Sequence, residues 1–249
     1  MHMRTKKWAR PELAACPYFA EKPHLLRGQW ASCFAAAQPL HLELGCGKGV
    51  STAQMAHATP DVNYIAIDIS PDVLGVARRN LEATYGETPV SNIMLTRCDI
   101  EHIDSFIAPE DRIERIYIHF CNPWSMRPKH HKRRLTHPRQ LMLYREFLVD
   151  EGEIWFKTDD ADLFRDSLKY FAACGFVPRY QTDDLHASGF TPNFVSEHEA
   201  KYSAEGIPIH FGIFVKQPGP VTIDPLRWRI WHAMDRADAV SKQADDEQV

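Results

Sequence analysis

Short apolar runs alternate with segments of helical periodicity along most of the chain. Strands are predicted at 40–44, 62–67, 92–96, 115–120, 153–157 and 210–215. Helices are predicted at 51–57, 70–85, 139–149 and 161–174. Ser51 and Ser70 are candidate N-caps, Pro71 suits a first helical position, and Gly175 is placed to end the last of these helices. This alternation predicts an α/β domain built on a mostly parallel sheet.

The same pattern divides the chain into three segments. Residues 1–35 are mixed, proline-containing and basic at their beginning, and residues 36–216 carry the alternating strands and helices. Residues 217–249 form a C-terminal extension, in which Leu226, Ile230 and Met234 predict one helix before a polar, disordered tail.

Composition narrows the class of protein. The chain has 249 residues, of which 44% are hydrophobic, and a net charge of −4, so a nucleic-acid partner requires a local basic patch. No apolar run approaches the roughly 20 residues of a membrane span, and no signal peptide is predicted. The six cysteines are scattered without a C-x-x-C pair, which favours reduced thiols in a cytoplasmic protein over disulfides or a zinc site.

A glycine-rich turn follows the first predicted strand of the domain. Gly45, Gly47 and Gly49 lie between that strand and a helix, the setting in which a sheet edge holds a cofactor. Asp68 ends the next strand, where an acid can bind both hydroxyls of a ribose. A nicotinamide dinucleotide and S-adenosylmethionine (SAM) both fit this arrangement. Glu43 disfavours an anionic pyrophosphate and favours the cationic SAM.

Two further polar positions follow the third and fourth predicted strands. Asp99 is placed to contact the amino group of adenine. Asn122, Pro123 and Trp124 follow the fourth strand beside the same crevice. There the amide can bond a base edge and the indole can stack on a base.

A basic run follows the Asn-Pro-Trp sequence. No acidic residue lies between Glu114 and Glu146. The run contains Arg127, Lys129, Lys132, Arg133, Arg134 and Arg139. Such a run in an acidic chain predicts contacts with a phosphate backbone. A metal site at its paired histidines is disfavoured, because no carboxylate or cysteine lies nearby. A smaller cluster, Arg4, Lys6, Lys7 and Arg10, surrounds Trp8.

In combination, these motifs resemble the bacterial tRNA (guanine-N7)-methyltransferase family, in particular its Gram-positive-type members. They are Glu-Leu-Gly-Cys-Gly-Lys-Gly at 43–49, Asn-Tyr-Ile-Ala-Ile-Asp at 63–68, Phe-Cys-Asn-Pro-Trp at 120–124, His-His-Lys-Arg-Arg-Leu-Thr at 130–136, Trp-Phe-Lys-Thr-Asp at 155–159 and Ser-Glu-His-Glu at 196–199. The similarity covers roughly residues 1–215. It implies a class I SAM-dependent, Rossmann-like fold with a seven-stranded sheet and helices on both faces. It also implies methyl transfer to N7 of guanosine 46 in the tRNA variable loop.

The resemblance also implies roles for individual residues. Cofactor binding falls on Glu43, Gly45, Gly47, Gly49, Asp68, Asp99 and Asn122, and catalysis falls on Asn122 and Asp159. Substrate binding falls on Trp124, Arg127, Lys129, Lys132, Arg133, Arg134, Thr158, Asp159, Ser196, Glu197, His198 and Glu199. The partner is tRNA, which the basic segment 1–35 is also expected to contact. Neither a membrane nor a metal is expected, and the chain is expected to be a monomer or a homodimer.

The sequence departs from the family at the strand-four motif. The family has Asp-Pro-Trp-Pro-Lys, whereas this chain has Asn122 in place of the acid and Met126 in place of the lysine. Guanine N7 needs no deprotonation, so an asparagine is compatible with activity. The loop is also about one residue longer, so Arg127 or Lys129 can replace the lysine, and Asp68 replaces a commoner glutamate. Alternatives are an RNA methyltransferase for another base atom, a non-catalytic tRNA-binding protein and a nicotinamide dehydrogenase.

Overall fold

The structure is a computed structural model that describes residues 5–126 and 128–223. The strands are β1 (Phe19–Ala20), β2 (Leu40–Leu44), β3 (Asn63–Asp68), β4 (Ile93–Arg97), β5 (Ile113–His119), β6 (Leu148–Thr158), β7 (Phe176–Thr182) and β8 (His210–Lys216). The helices are α1 (Ala9–Ala14), α2 (Val50–Ala58), α3 (Pro71–Tyr85), α4 (Pro138–Phe147), α5 (Ala161–Ala173) and α6 (Glu197–Ala204). Arg4, Arg127 and the predicted C-terminal helix and tail lie outside the described residues.

One eight-stranded sheet holds the fold together, in the order β1-β4-β3-β2-β5-β6-β8-β7. All neighbouring pairs are parallel except those formed by β8, which is antiparallel to β6 and β7. All five residues of β2 are buried, as expected for a central strand covered on both faces. From β2 the strand order runs through β3 and β4 toward one edge of the sheet, and from β5 it runs through β6 toward the other. The boundary between β2 and β5 is therefore a topological switch point, and α/β sheets bind ligands in the crevice at such a point.

The predicted α/β class is confirmed, with one strand more than the expected seven. The additional edge strand, β1, is only two residues long and pairs with β4. Periodicity also gave no signal for β7, which carries Pro178 and an irregularity between Pro178 and Tyr180. Its burial pattern is mostly exposed because it is an edge strand, so apolar alternation is absent.

Helix boundaries follow the predicted caps with one exception. Ser70 holds the N-cap position of α3 as predicted, but its side chain makes no capping hydrogen bond, and Gly175 follows α5 with a φ of 69°. The predicted cap Ser51 is wrong, because α2 begins after Gly49, whose φ is 67°, and Ser51 is buried inside the helix. The left-handed glycine lets the chain turn into the helix two residues earlier.

Residues near the N-terminus pack into the main core. Leu13, Tyr18 and Trp30 are buried in the same hydrophobic cluster as the central strands. The Trp30 indole N–H donates to the Phe106 carbonyl at 2.7 Å, and the Asp111 carboxylate accepts the Trp30 backbone N–H at 3.0 Å. Within the part of the chain that the structure describes, no helix is long and apolar enough to cross a membrane.

Candidate functional site

The glycine turn leaves the end of β2 with two of its three glycines open to the crevice. Gly45 has a φ of 80° and Gly47 a φ of 57°, and a Cβ added to either would meet no atom within 4 Å. A Cβ on Gly49 would lie 2.9 Å from the Ala77 Cβ of α3. Gly45 and Gly47 therefore leave room for a ligand against the backbone, whereas Gly49 allows the turn to pack on α3.

Asp68 faces this turn from the end of β3. Its carboxylate accepts the Ser70 N–H at 2.9 Å and the Gly47 N–H at 3.1 Å, so it is fixed between the turn and the start of α3. Burial raises the pKa of the Asp68 carboxyl, and these N–H bonds oppose that rise. The next residue, Ile69, is 59% exposed and gives the crevice an apolar edge.

Asp99 lies beside a cavity at the carboxyl end of β4. Its carboxylate accepts the Glu101 N–H at 3.0 Å and so begins the short 3₁₀ helix Ile100–Ser105. The cavity measures about 230 Å³ and is lined by Pro23, His24, Cys98, Asp99, His102, Ser105 and Phe106. Its walls combine the apolar surface of Pro23, Cys98 and Phe106 with one carboxylate, two imidazoles and a hydroxyl, a mixture that suits a flat heteroaromatic ring bearing an amino group.

Glu43 lies beneath the glycine turn and is 2% exposed. One carboxylate oxygen accepts the Thr52 hydroxyl, and the other lies 3.6 Å from Nδ1 of His119. Burial lowers the pKa of His119, which favours the neutral imidazole. Glu43 therefore places negative charge under the turn instead of exposing its carboxylate in the crevice.

The Asn-Pro-Trp loop begins at the end of β5, on the other side of the switch point. The Asn122 side-chain oxygen accepts the Trp124 N–H at 2.9 Å, and Asn122 is exposed. Phe120 and Trp124 both have a φ of 53°, a conformation that non-glycine residues adopt only when their surroundings impose it. The loop is therefore held in one shape that presents the Asn122 amide.

Arg134 supplies part of that support. It is 2% exposed, its Nε donates to the Pro123 carbonyl at 2.7 Å, and its Nη1 lies 2.8 Å from the Asp166 carboxylate. Arg133 is exposed, and its guanidinium carbon lies 5.2 Å from the centre of the Trp124 ring. The two neighbouring arginines therefore differ in role. Arg134 supports the loop from the protein interior, whereas Arg133 packs on Trp124 from the solvent side.

The basic residues in the described part of the run differ in their exposure to solvent. Lys132 and Arg133 are exposed, and Lys129 belongs to the 3₁₀ helix Pro128–Arg133. Arg127 lies outside the described residues. In the N-terminal cluster, Lys7 and Arg10 are exposed, and the Arg79 guanidinium of α3 covers the Trp8 ring at 3.5 Å.

The first turn of α6 and the end of β6 complete the crevice. Ser196 caps α6 by accepting the Glu199 N–H at 3.1 Å. His198 Nε2 lies 3.3 Å from the Asp159 carboxylate, and its ring centre lies 4.9 Å from that of Phe120. Exposed Glu197 pairs with Lys48 of the glycine turn at 2.5 Å. The structure therefore joins segments that are far apart in the sequence.

Three residues that the resemblance assigned to substrate binding are buried. Thr158 is 1%, Arg134 2% and Glu199 0% exposed. The Thr158 hydroxyl accepts the Asp160 N–H at 3.1 Å, at the start of α5. These three side chains have almost no solvent-accessible surface for a ligand to contact. They therefore form bonds within the protein instead of direct contacts with RNA.

The two cysteines beside the crevice are not activated. Burial raises the pKa of Cys46 well above its ordinary value and that of Cys121 to about 12. Both thiols are therefore protonated at neutral pH, which is unsuited to a nucleophile.

Sequence reasoning gave no role to four residues in or beside the crevice, two of which, Lys48 and Lys157, lie within its motifs. Lys48 and Ile69 border the crevice, and His119 and Lys157 lie buried behind it. The sequence did contain a signal for Ile69, because this apolar residue directly follows Asp68 in a stretch where polar residues are expected. The other three show their role only through partners distant in sequence.

Known proteins match most of this chain. The family described as "Putative methyltransferase" matches residues 37–211. A "tRNA (guanine-N(7)-)-methyltransferase" of Clostridium perfringens (strain SM101 / Type A) is 51% identical over 219 residues, covering 87% of this chain and 100% of that protein. A protein of the same name from Ruminiclostridium cellulolyticum is 49% identical over 214 residues, covering 85% and 90%. Another, from Desulfitobacterium hafniense (strain Y51), is 47% identical over 219 residues, covering 88% and 99%.

Proposed function

Because this chain belongs to the tRNA (guanine-N7)-methyltransferase family, we propose that it methylates N7 of guanosine 46 in tRNA with SAM as donor. The observation that carries the proposal is the meeting of three segments at one edge of the sheet. The glycine turn, the Asn-Pro-Trp loop and the first turn of α6 are joined there by the Lys48–Glu197 pair and the contact of Phe120 with His198.

The residues of the crevice fit SAM. Gly45 and Gly47 leave their backbone open, and Asp68 offers carboxylate oxygens to ribose hydroxyls. The cavity beside Asp99 suits adenine, and buried Glu43 supplies negative charge near the turn. When bound, SAM supplies an electrophilic methyl group on a sulfonium sulfur.

The guanine half of the site needs orientation more than acid–base chemistry. N7 of neutral guanine carries an in-plane lone pair, so no side chain has to remove a proton first. Asn122 holds the base by its amide, and Asp159 accepts hydrogen bonds from the N1–H and N2 edge. The Asp159 carboxylate also stabilises the positive charge that develops on the purine.

Exposed cations beside the crevice are suited to the tRNA backbone. Lys132 and Arg133 lie in the short 3₁₀ helix that follows Trp124. On the sequence alone, we also assign tRNA binding to Lys129 and Arg127. Lys7 and Arg10 of the N-terminal segment provide a second, smaller patch. A cytoplasmic location agrees with a tRNA substrate and with the six free cysteines.

Methyl transfer from labelled SAM to two tRNA transcripts tests the proposal. One transcript carries G at position 46 and the other carries A. We expect label on the G transcript alone. Label on both would indicate another target atom, and no label on either, with SAM binding established by calorimetry, would favour a non-catalytic tRNA-binding protein.

Acidification is expected to weaken SAM binding through Asp68. The ionised carboxylate accepts ribose hydroxyls, and its raised pKa means that protonation begins at a higher pH than for an ordinary aspartate. Affinity is therefore complete above that pKa and falls as the pH drops through it. Calorimetry from neutral pH down to about pH 4, close to the ordinary pKa of an aspartate, measures the effect. Asp68→Asn is the control: it should bind more weakly, with a flatter pH profile, and an equally steep profile would assign the titration to another group.

Substitutions of Asn122 are expected to separate its structural and electrostatic contributions. Asn122→Asp keeps an acceptor for the Trp124 N–H and adds charge near the purine, so kcat should equal or exceed the wild-type value. Asn122→Ala loses the hydrogen bond and should lower kcat roughly tenfold, or about 1.4 kcal/mol. Single-turnover methylation measures both variants. An inactive Asn122→Asp would show that the amide N–H₂ itself is required.

A further inference from the structure

Glu199 occupies an unexpected place for a residue assigned to substrate binding. It lies in the first turn of α6, yet its side chain is fully buried. One carboxylate oxygen accepts the Asn193 amide at 2.8 Å and lies 3.1 Å from Nε2 of His186. The other lies 3.1 Å from the Lys157 ammonium. Both oxygens are therefore engaged within the protein.

Lys157 is the centre of this cluster. The side chain is buried on β6, and its ammonium group contacts the Asn193 side-chain oxygen at 2.5 Å, the Phe194 carbonyl at 3.2 Å and Glu199. These three acceptors match the three protons of the ammonium group. Burial lowers the pKa of Lys157, and Glu199 opposes that change by favouring the charged form.

The cluster lies directly behind the guanine half of the crevice. Lys157 precedes Asp159 by two residues on the same strand end, and Glu199 directly follows Glu197 and His198 in α6. The contacts of His198 with Asp159 and of Glu197 with Lys48 therefore depend on where the Lys157–Glu199 pair holds α6.

From this arrangement we infer that Lys157 and Glu199 are positioning residues for methyl transfer, an inference that rests on the proposed function. The pair holds the first turn of α6 against the end of β6, so that Asp159, His198 and Glu197 surround one guanine. Glu199 itself does not touch the base, which departs from the role that the family resemblance implied.

Single substitutions are expected to lower activity by disturbing that geometry. Glu199→Gln turns an amide toward the Lys157 ammonium, and Lys157→Met leaves a buried carboxylate without its cation. Each should reduce kcat on the order of tenfold, since displacing reacting groups by 1 Å can cost about 100-fold. SAM affinity, measured by calorimetry, should stay near the wild-type value.

The decisive variant combines both substitutions. In Lys157→Met/Glu199→Gln the glutamine keeps an acceptor oxygen for Asn193 and His186, and methionine fills the volume of the lysine stem without charge. The Asn193 side-chain oxygen and the Phe194 carbonyl lose the ammonium donor, so the recovery is expected to be partial. A positioning role predicts that kcat recovers toward the wild-type value. If the double variant unfolds at the wild-type temperature but is as inactive as Glu199→Gln, the carboxylate acts on the substrate and the inference fails.

Glu199→Asp provides a second readout that keeps the buried charge. A positioning role predicts that Glu199→Asp, which keeps the charge that pairs with Lys157, retains more kcat than Glu199→Gln. A kcat as low as that of Glu199→Gln would overturn the inference, because the charge pair would then not be what matters. The wild-type protein separates the two hypotheses: if it fails to methylate the G46 transcript, the proposed function fails, whereas wild-type activity without recovery in the double variant refutes only the positioning role.

Discussion

Asp159→Asn is expected to lower kcat for methyl transfer by about 100-fold to 1,000-fold, the range for removing one preorganised electrostatic group from an active site. Asn122 stands where the family has a carboxylate, so the charge facing the purine must come from elsewhere. Glu43 and Glu199 are buried, and Glu197 is paired with Lys48. Asp159 is 27% exposed at the crevice, and its neighbour there is the exposed His198 imidazole at 3.3 Å instead of a lysine ammonium.

The effect should be confined to the guanine half of the reaction. Asp159 is assigned to the guanine and not to SAM, so SAM affinity should stay within about twofold, or 0.4 kcal/mol. The neutral amide of the variant presents an N–H₂ group or a weaker acceptor to the guanine N1–H and N2 edge. Losing the carboxylate charge should therefore destabilise the transition state, in which the purine becomes positive. Rapid-quench single-turnover kinetics with saturating SAM measures the change.

Asp183→Asn is the matched control. The Asp183 side chain is 93% exposed and contacts His210 at 3.3 Å, and Asp183 has no assigned role in binding SAM or tRNA. Its kcat should equal that of the wild type. Normal turnover by Asp159→Asn would refute the proposed role of Asp159. Glu197 would then be the next candidate for the negative charge that faces the purine.

Arg134→Met is expected to lower the free energy of unfolding by about 1–3 kcal/mol, because Asp166 loses its buried partner and keeps Lys169, whose ammonium lies 3.8 Å away. The Pro123 carbonyl also loses its donor, between Asn122 and Trp124. The loop should therefore lose its fixed shape, and kcat should fall together with stability. Urea denaturation followed by circular dichroism measures the first effect, and the methylation assay measures the second.

Arg133→Met separates this brace from the RNA-binding surface. Arg133 is exposed, so its loss should change the free energy of unfolding by less than about 0.5 kcal/mol. It should instead raise the KM for tRNA and reduce the salt slope of tRNA binding by about one. If Arg134→Met kept its stability and lost only tRNA affinity, Arg134 would return to the phosphate-binding surface that the sequence predicted.

Local signals predicted the central half of the fold well. The strand at 40–44 and the helix after Ser70 agree with the structure because apolar periodicity favours both elements and Pro71 favours the start of the helix. Prediction failed at the edges: β7 is exposed and interrupted by Pro178, and β1 is two residues long. Edge strands exist through pairing with a neighbour, which leaves little trace in their own sequence.

The candidate site divides in the same manner. The sequence determined the chemistry available at the glycine turn, Asp68, Asp99 and the Asn-Pro-Trp loop, because glycine, carboxylate and amide requirements are local properties of short motifs. Tertiary structure alone decided which charged residues face a ligand. Arg133 and Arg134 are adjacent and chemically equal in the sequence, yet one is exposed and the other braces Pro123.

Glu197 and Glu199 differ in the same way: one spans the mouth of the crevice to Lys48, and the other is bonded to Lys157. The physical reason is that the free energy of a charged side chain depends on its partners and its burial. Both are fixed only when strands and helices distant in the sequence come together.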